Sequence, residues 1–330
     1  MRIRMRYLVL GLCILCFCGL FSNVATVESK EIVLKAVTAW PANDRMSTVQ
    51  FFLLQKMVNQ ELKGKVRIEY LGGPEVVPSF ELIEAVKSGM VDIASMSCGY
   101  YTRVVPDVGA LWLSERNHRE LRQSGFYDAF NEIHQKKLNT VYYAWTNGEG
   151  LRFAIYLKEK IEKPDFSGLK LRGSPNYVPQ FKALGATPVI LPPPEVYTAL
   201  ERGVIDGVGW PNMGITDWGW DEVVKYMVDH EFGKGDQVIL FNLDTWKKLP
   251  EPVREKLMDM APKFEDDAAK YCTDLRLEYR KLYKASGIEF IRFSPDDAKK
   301  YLNTIYEASK EDYIKRCPET GPALLKLTTK

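Results

Sequence analysis

The chain has 330 residues, and 45 lysines and arginines against 43 aspartates and glutamates give it a formal net charge of +2. Its 46% hydrophobic and 27% charged residues are ordinary proportions for a globular protein. The length is enough for one large lobe or two medium-sized lobes. Because the charges are balanced and form no basic patch, we expect no nucleic-acid partner.

Residues 1–25 have the pattern of a secretory signal. Arg2, Arg4 and Arg6 precede an apolar run at 7–21, and small and polar residues follow up to Ala25. The run is shorter than the roughly 20 residues that a membrane-spanning helix needs. We predict cleavage between residues 25 and 29, export to the periplasm and a mature protein that is not integral to the membrane. Because the segment carries three arginines and no acid, the mature net charge would be about −1.

Three cysteines remain after the predicted cleavage: Cys98, Cys272 and Cys317. An exported protein can form disulfides. A bridge between Cys272 and Cys317, with Cys98 as the odd thiol, is therefore one hypothesis. The sequence leaves the bridged and the unbridged forms equally open.

Strand and helix patterns alternate along the first hundred mature residues. Strands are predicted at 31–38, 65–70 and 90–96, and helices at 46–62 and at 80–88, the second capped by Ser79 and ended by Gly89. This order is typical of an α/β fold with parallel connections. Residues 250–286 contain few helix breakers and predict long helices that span both lobes; a solvated helical tail fits this pattern equally well.

An internal repeat relates residues 80–94 to residues 194–208 without a gap. The identical pairs are Glu81 and Glu195, Ala85 and Ala199, Gly89 and Gly203, and Asp92 and Asp206. Each copy predicts a short helix, a glycine in a left-handed turn and a buried strand. The repeat favours two similar lobes, although any α/β domain can contain this combination.

Motifs for catalysis are absent from the sequence. It contains no GxSxG, HExxH or Walker motif, and no GxGxxG between a strand and a helix. His118, His134 and His230 lie far apart and have no partner at metal-ligand spacing, so we expect them to be solvated or packed. We therefore predict a protein that is not an enzyme and that uses no cofactor and no metal.

Arg172 is the first candidate for ligand binding. Leu169 and Leu171 alternate with Lys170 and Arg172, which predicts a strand, and a helix is predicted to start at 174–175. A guanidinium at the carboxyl end of a strand and beside a helix start can pair with both oxygens of a carboxylate. An exposed salt bridge would explain the pattern equally well.

The segment GLKLRGSPNYVPQFKALGATPVILPPPEVYTALERGVIDGVGWP, residues 168–211, resembles the signature region of the periplasmic solute-binding proteins of TRAP transporters, the DctP family. The earlier ELIEAVKSGMVDIA also has its family equivalent, so the resemblance covers essentially the whole mature chain. It implies a two-lobed, periplasmic-binding-protein-like fold (type II-like) with a ligand cleft. It also implies capture of a small organic carboxylate and delivery to the small and large TRAP membrane subunits.

The resemblance also implies roles for individual residues. Arg172 matches the family arginine that forms a salt bridge with the ligand carboxylate, and Arg152 matches a second arginine present in many members. Trp210 stands where many members have asparagine. In members that resemble 2-oxo-acid binders a tryptophan here has an acidic, metal-binding neighbour, but the neighbour in this chain is Gly209, so we expect no bridging metal.

Four further aromatic residues fall at strand ends or in loops where the clefts of the family open: Trp40, Tyr100, Tyr101 and Trp145. They predict an aromatic-walled cleft, although each could equally be ordinary core. We therefore favour a monocarboxylate with an apolar or aromatic body, such as a 2-oxo acid, over a C4-dicarboxylate. An exported enzyme or a ligand sensor that acts on a carboxylated molecule is the alternative from another class.

The lobes are expected to be discontinuous. We assign 31–149 plus about 237–275 to lobe one, and 150–236 plus about 276–330 to lobe two. The offset between the repeats motivates the first half of this division. The crossing of the later segments is implied by the family resemblance.

Overall fold

The computed structural model describes residues 30–147 and 150–330, so the predicted signal at 1–25 lies outside the described residues. The strands are β1 Ile32–Thr38, β2 Val66–Gly72, β3 Ile93–Ser97, β4 Thr140–Trp145, β5 Phe153–Leu157, β6 Lys170–Gly173, β7 Thr187–Ile190, β8 Gly207–Pro211, β9 Tyr226–Val228, β10 Gln237–Asn242 and β11 Glu289–Ile291. The α-helices are α1 Thr48–Glu61, α2 Leu82–Ser88, α3 Gly109–Trp112, α4 His118–Gln123, α5 Phe126–Leu138, α6 Val178–Ala183, α7 Val196–Glu201, α8 Leu243–Lys248, α9 Glu251–Ala285, α10 Pro295–Arg316 and α11 Gly321–Thr328. Short 3-10 turns lie at Cys98–Tyr100, Pro106–Val108, Pro175–Tyr177, Pro193–Glu195, Ile215–Trp218 and Trp220–Glu222. Among these helices, none is both long enough and apolar enough to cross a membrane.

The strands form two mixed sheets. The first has the order β2-β1-β3-β10-β4, in which β1 is parallel to β2 and β3 while β10 is antiparallel to β3 and β4. The second has the order β11-β9-β5-β8-β6-β7, in which β6 is parallel to β7 and β8. Helices accompany both sheets, which confirms the α/β, two-lobed fold. The lobe boundaries near 149 and 236 stay a prediction, and they are compatible with the strands that each sheet contains.

Both copies of the repeat have the predicted local structure. Helix α2 ends at Gly89 with φ 78° and precedes β3, and α7 is followed by Gly203 with φ 68° and then by β8. The matched aspartates make the same contact, because Asp92 accepts a hydrogen bond from the backbone N–H of Lys35 at 2.8 Å and Asp206 accepts one from Lys170 at 2.7 Å. Each copy therefore attaches its turn to the adjacent parallel strand of its own sheet, β1 in the first copy and β6 in the second.

The predicted cap of α2 is wrong. The Ser79 hydroxyl donates to the Ala39 carbonyl oxygen at 2.8 Å, and the helix begins only at Leu82. Ser79 therefore fixes the loop after β1 instead of a helix terminus.

Residues 251–285 form one helix, α9, of 35 residues and about 50 Å. Its first part packs on the first sheet, where the Tyr143 hydroxyl donates to the Leu257 carbonyl oxygen at 2.8 Å. Near its end, Tyr283 packs against Tyr156 of the second sheet with ring centroids 5.9 Å apart. One continuous helix therefore contacts both sheets, which confirms the prediction of a helix that spans the two lobes.

The three described cysteines are free, buried thiols. Cys272 lies in the middle of α9 and Cys317 follows α10. The bridged alternative is therefore wrong. Burial raises the pKa of each of these two thiols to about 12, so neither is a reactive thiolate at neutral pH.

Candidate ligand-binding cleft

A cavity lies where strands of both sheets reach their carboxyl ends. Strands β1, β3, β6 and β8 end at this point. The carboxyl edge of an α/β sheet is the usual position for a ligand, because the side chains after neighbouring strands converge there. The cavity is lined by Trp40, Met46, Ser97, Tyr100, Leu151, Phe153, Arg172, Ser174, Tyr177, Trp210, Pro211, Asp236 and Gln237.

Arg172 lies on β6 and is completely buried. Its Nε and Nη2 donate to the Leu191 carbonyl oxygen at 2.9 and 2.6 Å, and Nη1 donates to the Gly209 carbonyl oxygen at 3.5 Å. Three of its five N–H groups are thus used by backbone carbonyls, and the Tyr100 hydroxyl also forms a hydrogen bond with the guanidinium. Burial lowers the pKa of the guanidinium, while the neighbouring Tyr100 opposes this effect. No carboxylate of the described residues forms an ion pair with it, so its charge has no counter-ion.

Trp210 stands beside this cation, with the Arg172 Cζ 5.3 Å from the indole ring centroid. Trp210 also packs edge-on against Trp220 at 4.8 Å. On another part of the wall, the Trp40 indole N–H donates to the Tyr100 hydroxyl at 3.1 Å. The cavity therefore has aromatic walls.

Two buried donors on the wall have no hydrogen-bond partner among the described residues: the Trp210 Nε1 and the Tyr177 hydroxyl. A buried donor without a partner costs about 1–3 kcal/mol. Together with the Arg172 guanidinium, they form a set of donors that an anionic ligand can satisfy.

The structure brings Arg172, Trp210, Trp40 and Tyr100 together, but it does not place the three other predicted site residues on the cavity wall. Arg152 is half-buried and donates to the Gly233 carbonyl oxygen at 3.5 Å. The Trp145 indole N–H donates to the Gly235 carbonyl oxygen at 2.6 Å, and the Tyr101 hydroxyl lies 3.1 Å from His134 Nε2. Trp145 and Tyr101 are therefore packed in the core, which is the alternative that the sequence left open.

Several wall residues were missed by sequence reasoning, and Asp236 is the most important of them. Its Oδ1 accepts a hydrogen bond from the Ser97 hydroxyl at 2.7 Å, and its Oδ2 accepts one from the Gly99 backbone N–H at 2.8 Å. Burial raises its pKa to about 6 despite these two bonds. Its position immediately before β10 was the only available signal, since a strand start is an ordinary place for an aspartate.

Gly209 is held without space for a side chain. A Cβ atom there would lie 2.6 Å from both the Tyr177 and the Phe181 rings. An acidic residue therefore cannot replace this glycine without displacing both rings. Within residues 30–147 and 150–330 no group of three or more histidine, cysteine or acidic side chains is arranged to hold a metal ion.

The family profile described as bacterial extracellular solute-binding protein, family 7 (DctP), matches residues 37–316. The chain belongs to this family. Its members are solute-binding receptors of the extracytoplasmic compartment and are not an enzyme class. They bind small organic acids and work with membrane permease subunits, which confirms the resemblance to TRAP solute-binding proteins.

Solved structures and curated relatives agree with this assignment. A TRAP periplasmic solute-binding protein of Desulfovibrio salexigens with bound orotic acid has a TM-score of 0.81 and 22% identity, over 90% of this chain and 97% of that chain. An extracytoplasmic solute receptor of Bordetella pertussis that binds pyroglutamic acid has a TM-score of 0.79 and 19% identity, over 90% and 99%. A monocarboxylate 2-oxoacid-binding periplasmic protein of a Nostoc species is 25% identical over 249 residues, 71% of this chain and 67% of the relative.

Proposed function

We propose that this family member captures a monocarboxylate with an apolar or aromatic body and delivers it to the small and large membrane subunits of a TRAP transporter. The ligand carboxylate pairs with Arg172. The observation that carries this proposal is a fully buried guanidinium without a counter-ion on the wall of an aromatic cavity. Burial of an unpaired charge is costly, and a bound carboxylate removes that cost by pairing with the guanidinium.

The relatives support a ligand with one carboxylate. Orotic acid, pyroglutamic acid and the monocarboxylate 2-oxoacids each carry one such group. A C4-dicarboxylate is the second candidate, but Arg172 is the one cation among the described residues that line the cavity. The second carboxylate of such a ligand would therefore have no cation and would share the cavity with Asp236.

The first test is a thermal-shift screen of the mature protein against small carboxylates, because a ligand that binds only the folded state raises the unfolding temperature. Calorimetry with the best acid then compares wild type with Arg172→Ala and Arg172→Lys. Loss of the guanidinium leaves a buried anion unpaired and is expected to weaken binding by about 2–5 kcal/mol, or roughly 30-fold to several thousand-fold. Lysine is expected to give an intermediate affinity, because it retains the charge but not the planar fork.

Arg152→Ala is the matched control, because Arg152 is outside the cavity wall; we expect a smaller loss of affinity than in Arg172→Ala. Binding by Arg172→Ala within about threefold of wild type would overturn the proposal, since this is less than about 1 kcal/mol. Incubation of wild type with the best acid, followed by analysis of the products, tests the enzyme alternative. Turnover of the acid would favour that alternative.

A further inference from the structure

Asp236, immediately before β10 of the first sheet, differs in its partners from two other acids of low exposure, Glu265 of α9 and Asp229 after β9. Glu265 is buried against the Arg122 guanidinium, and Asp229 receives two hydrogen bonds from Arg280 at 2.8 and 3.1 Å. Asp236 is only 3% exposed, yet no lysine, arginine or histidine of the described chain forms an ion pair with it. Its partners are the neutral donors of Ser97 and Gly99.

These two donors do not use the full capacity of the carboxylate. Each oxygen can accept about two hydrogen bonds, so each retains capacity for another donor. Burial is the main cause of the raised pKa of the Tyr100 and Tyr177 hydroxyls, and the Asp236 charge adds to both shifts, so this charge also acts on other walls of the cavity. The cavity therefore contains one cation that lacks an anion and one anion that lacks a cation.

We propose that Asp236 is a specificity residue that accepts a hydrogen bond from the ligand body. The ligand class is then a monocarboxylate that also carries an ammonium, hydroxyl or amide N–H group. This inference rests on the proposed function and narrows it: Arg172 binds the carboxylate, and Asp236 selects the second polar group.

The same arrangement rejects two other kinds of acid. A ligand body that presents only acceptors or only carbon to Asp236 excludes water from the carboxylate without replacing its hydrogen bonds, which costs affinity. A second carboxylate on the ligand would meet a like charge in a buried site. Discrimination against such ligands is expected to be larger than that produced by a missing methylene, because a buried polar group is left without a partner.

The test uses acids of matched shape that differ in one donor. The first set is phenylglycine, mandelate and benzoylformate, which share a skeleton and carry an ammonium, a hydroxyl and an oxo group. The second set is pyroglutamate and 5-oxotetrahydrofuran-2-carboxylate, in which the ring N–H is replaced by oxygen. In calorimetry with wild type, the donor-bearing acid of a set is expected to bind at least about tenfold more tightly than its acceptor counterpart. Tighter binding of phenylglycine than of mandelate identifies the donor as an ammonium.

Asp236→Asn keeps the size of the side chain and removes the charge. We expect the donor preference to fall below about threefold in this variant, because the amide can itself donate to an oxo or ring oxygen. Asp44→Asn is the matched control: Asp44 is also a buried acid, but it does not line the cavity, so the wild-type preference should be retained. Thermal unfolding of each variant without ligand establishes that it is folded.

The outcomes separate this inference from the proposed function. If Arg172→Ala abolishes binding while donor and acceptor acids bind wild type alike, the inference is overturned and the proposed function stands. If Asp236→Asn retains the full donor preference, the donor contacts another group and the inference is again overturned. If no acid of either set or of the wider screen binds wild type, the proposed function falls and the inference falls with it.

Discussion

Backbone carbonyl oxygens, and no acid, fix the side chain of Arg172. Two of its nitrogens donate to the carbonyl of Leu191, just after β7, and a third donates to that of Gly209 in β8. Because the two neighbours of β6 supply these acceptors, the guanidinium is oriented by the sheet itself before a ligand arrives. A fixed donor loses little conformational entropy on binding, which favours affinity.

A second buried acid, Asp44, gives the protein a predicted pH dependence. Its Oδ1 accepts a hydrogen bond from the Ser47 backbone N–H at 2.6 Å, whereas its Oδ2 has no partner among the described residues. Burial raises its pKa from 3.8 to about 7, and the nearby Asp217 carboxylate adds to this shift. Between these values the folded state holds a proton that the unfolded state has lost.

Stability is therefore expected to fall as the pH rises from about 4 to about 7, by up to about 1.4 kcal/mol per pH unit from this group. The side chain of Asp44→Asn cannot ionise. The free energy of unfolding of this variant, relative to that of wild type, should therefore be higher at pH 8 than at pH 5. Urea unfolding of both proteins at pH 5, 6, 7 and 8 measures the difference, and other titrating groups cancel in the comparison. Parallel pH profiles for the two proteins would show that Asp44 does not titrate in this window.

At the scale of single elements, both repeated aspartates are expected to stabilise their turns, Asp92 somewhat more than Asp206 because its Oδ1 also accepts a hydrogen bond from the Thr245 hydroxyl at 2.8 Å. Asp92→Ala and Asp206→Ala each remove a carboxylate that accepts a backbone N–H from the adjacent parallel strand. Each loss should lower the free energy of unfolding by about 1–2 kcal/mol, measured in urea. Glu159→Ala, at an exposed position, is the control and should change stability by less than about 0.5 kcal/mol. If either aspartate variant is as stable as this control, the contact is not stabilising.

Sequence reasoning succeeded where a pattern has one dominant physical cause. The repeat predicted helix, glycine and strand in both copies, because only glycine readily adopts the positive φ at Gly89 and Gly203. Strand alternation likewise placed Arg172 at the end of β6. These features are local, so neighbouring residues in the sequence contain enough information.

The parts that sequence reasoning missed depend on contacts between distant segments. Asp236 meets Ser97 across 139 positions, through the antiparallel pairing of β10 with β3. Nothing near either residue in the sequence predicts this pairing. For the same reason, Trp145 and Tyr101 could not be assigned to cavity or core before the packing of their sheet was known.

At the scale of the whole molecule, the cavity takes its wall from both sheets. Ser97 ends β3 and both Trp40 and Tyr100 follow strands of the first sheet, whereas Arg172 and Trp210 belong to strands of the second. A ligand that contacts both sets stabilises the arrangement in which the sheets are close together. Because α9 contacts both sheets along its length, we expect any opening to be a hinge motion of one lobe against the other.

Closure on binding can be measured with two spin labels. Val76, which is 45% exposed, follows β2, and Glu195, which is also exposed, follows β7. Because β2 and β7 are edge strands of the first and the second sheet, the two labels lie beyond the carboxyl ends of strands in different sheets. Val76→Cys and Glu195→Cys can be labelled selectively, because the three described native cysteines are buried. Pulsed electron paramagnetic resonance should show a shorter and narrower distance distribution after the best acid is added.

The matched control is the same labelled pair in the Arg172→Ala background. The acid is added at a concentration that saturates the protein with Arg172 but not the Arg172→Ala variant. The distance distribution of the variant should then stay that of the free protein, because a ligand shifts a conformational equilibrium only through its difference in affinity for the two states. If the distance distribution of the labelled protein that retains Arg172 is unchanged when the protein is saturated with the acid, hinge closure between these two sites is excluded. Unchanged distances would also mean that the buried charge of Arg172 is already enclosed before binding, so that the ligand must enter by local motion of the wall.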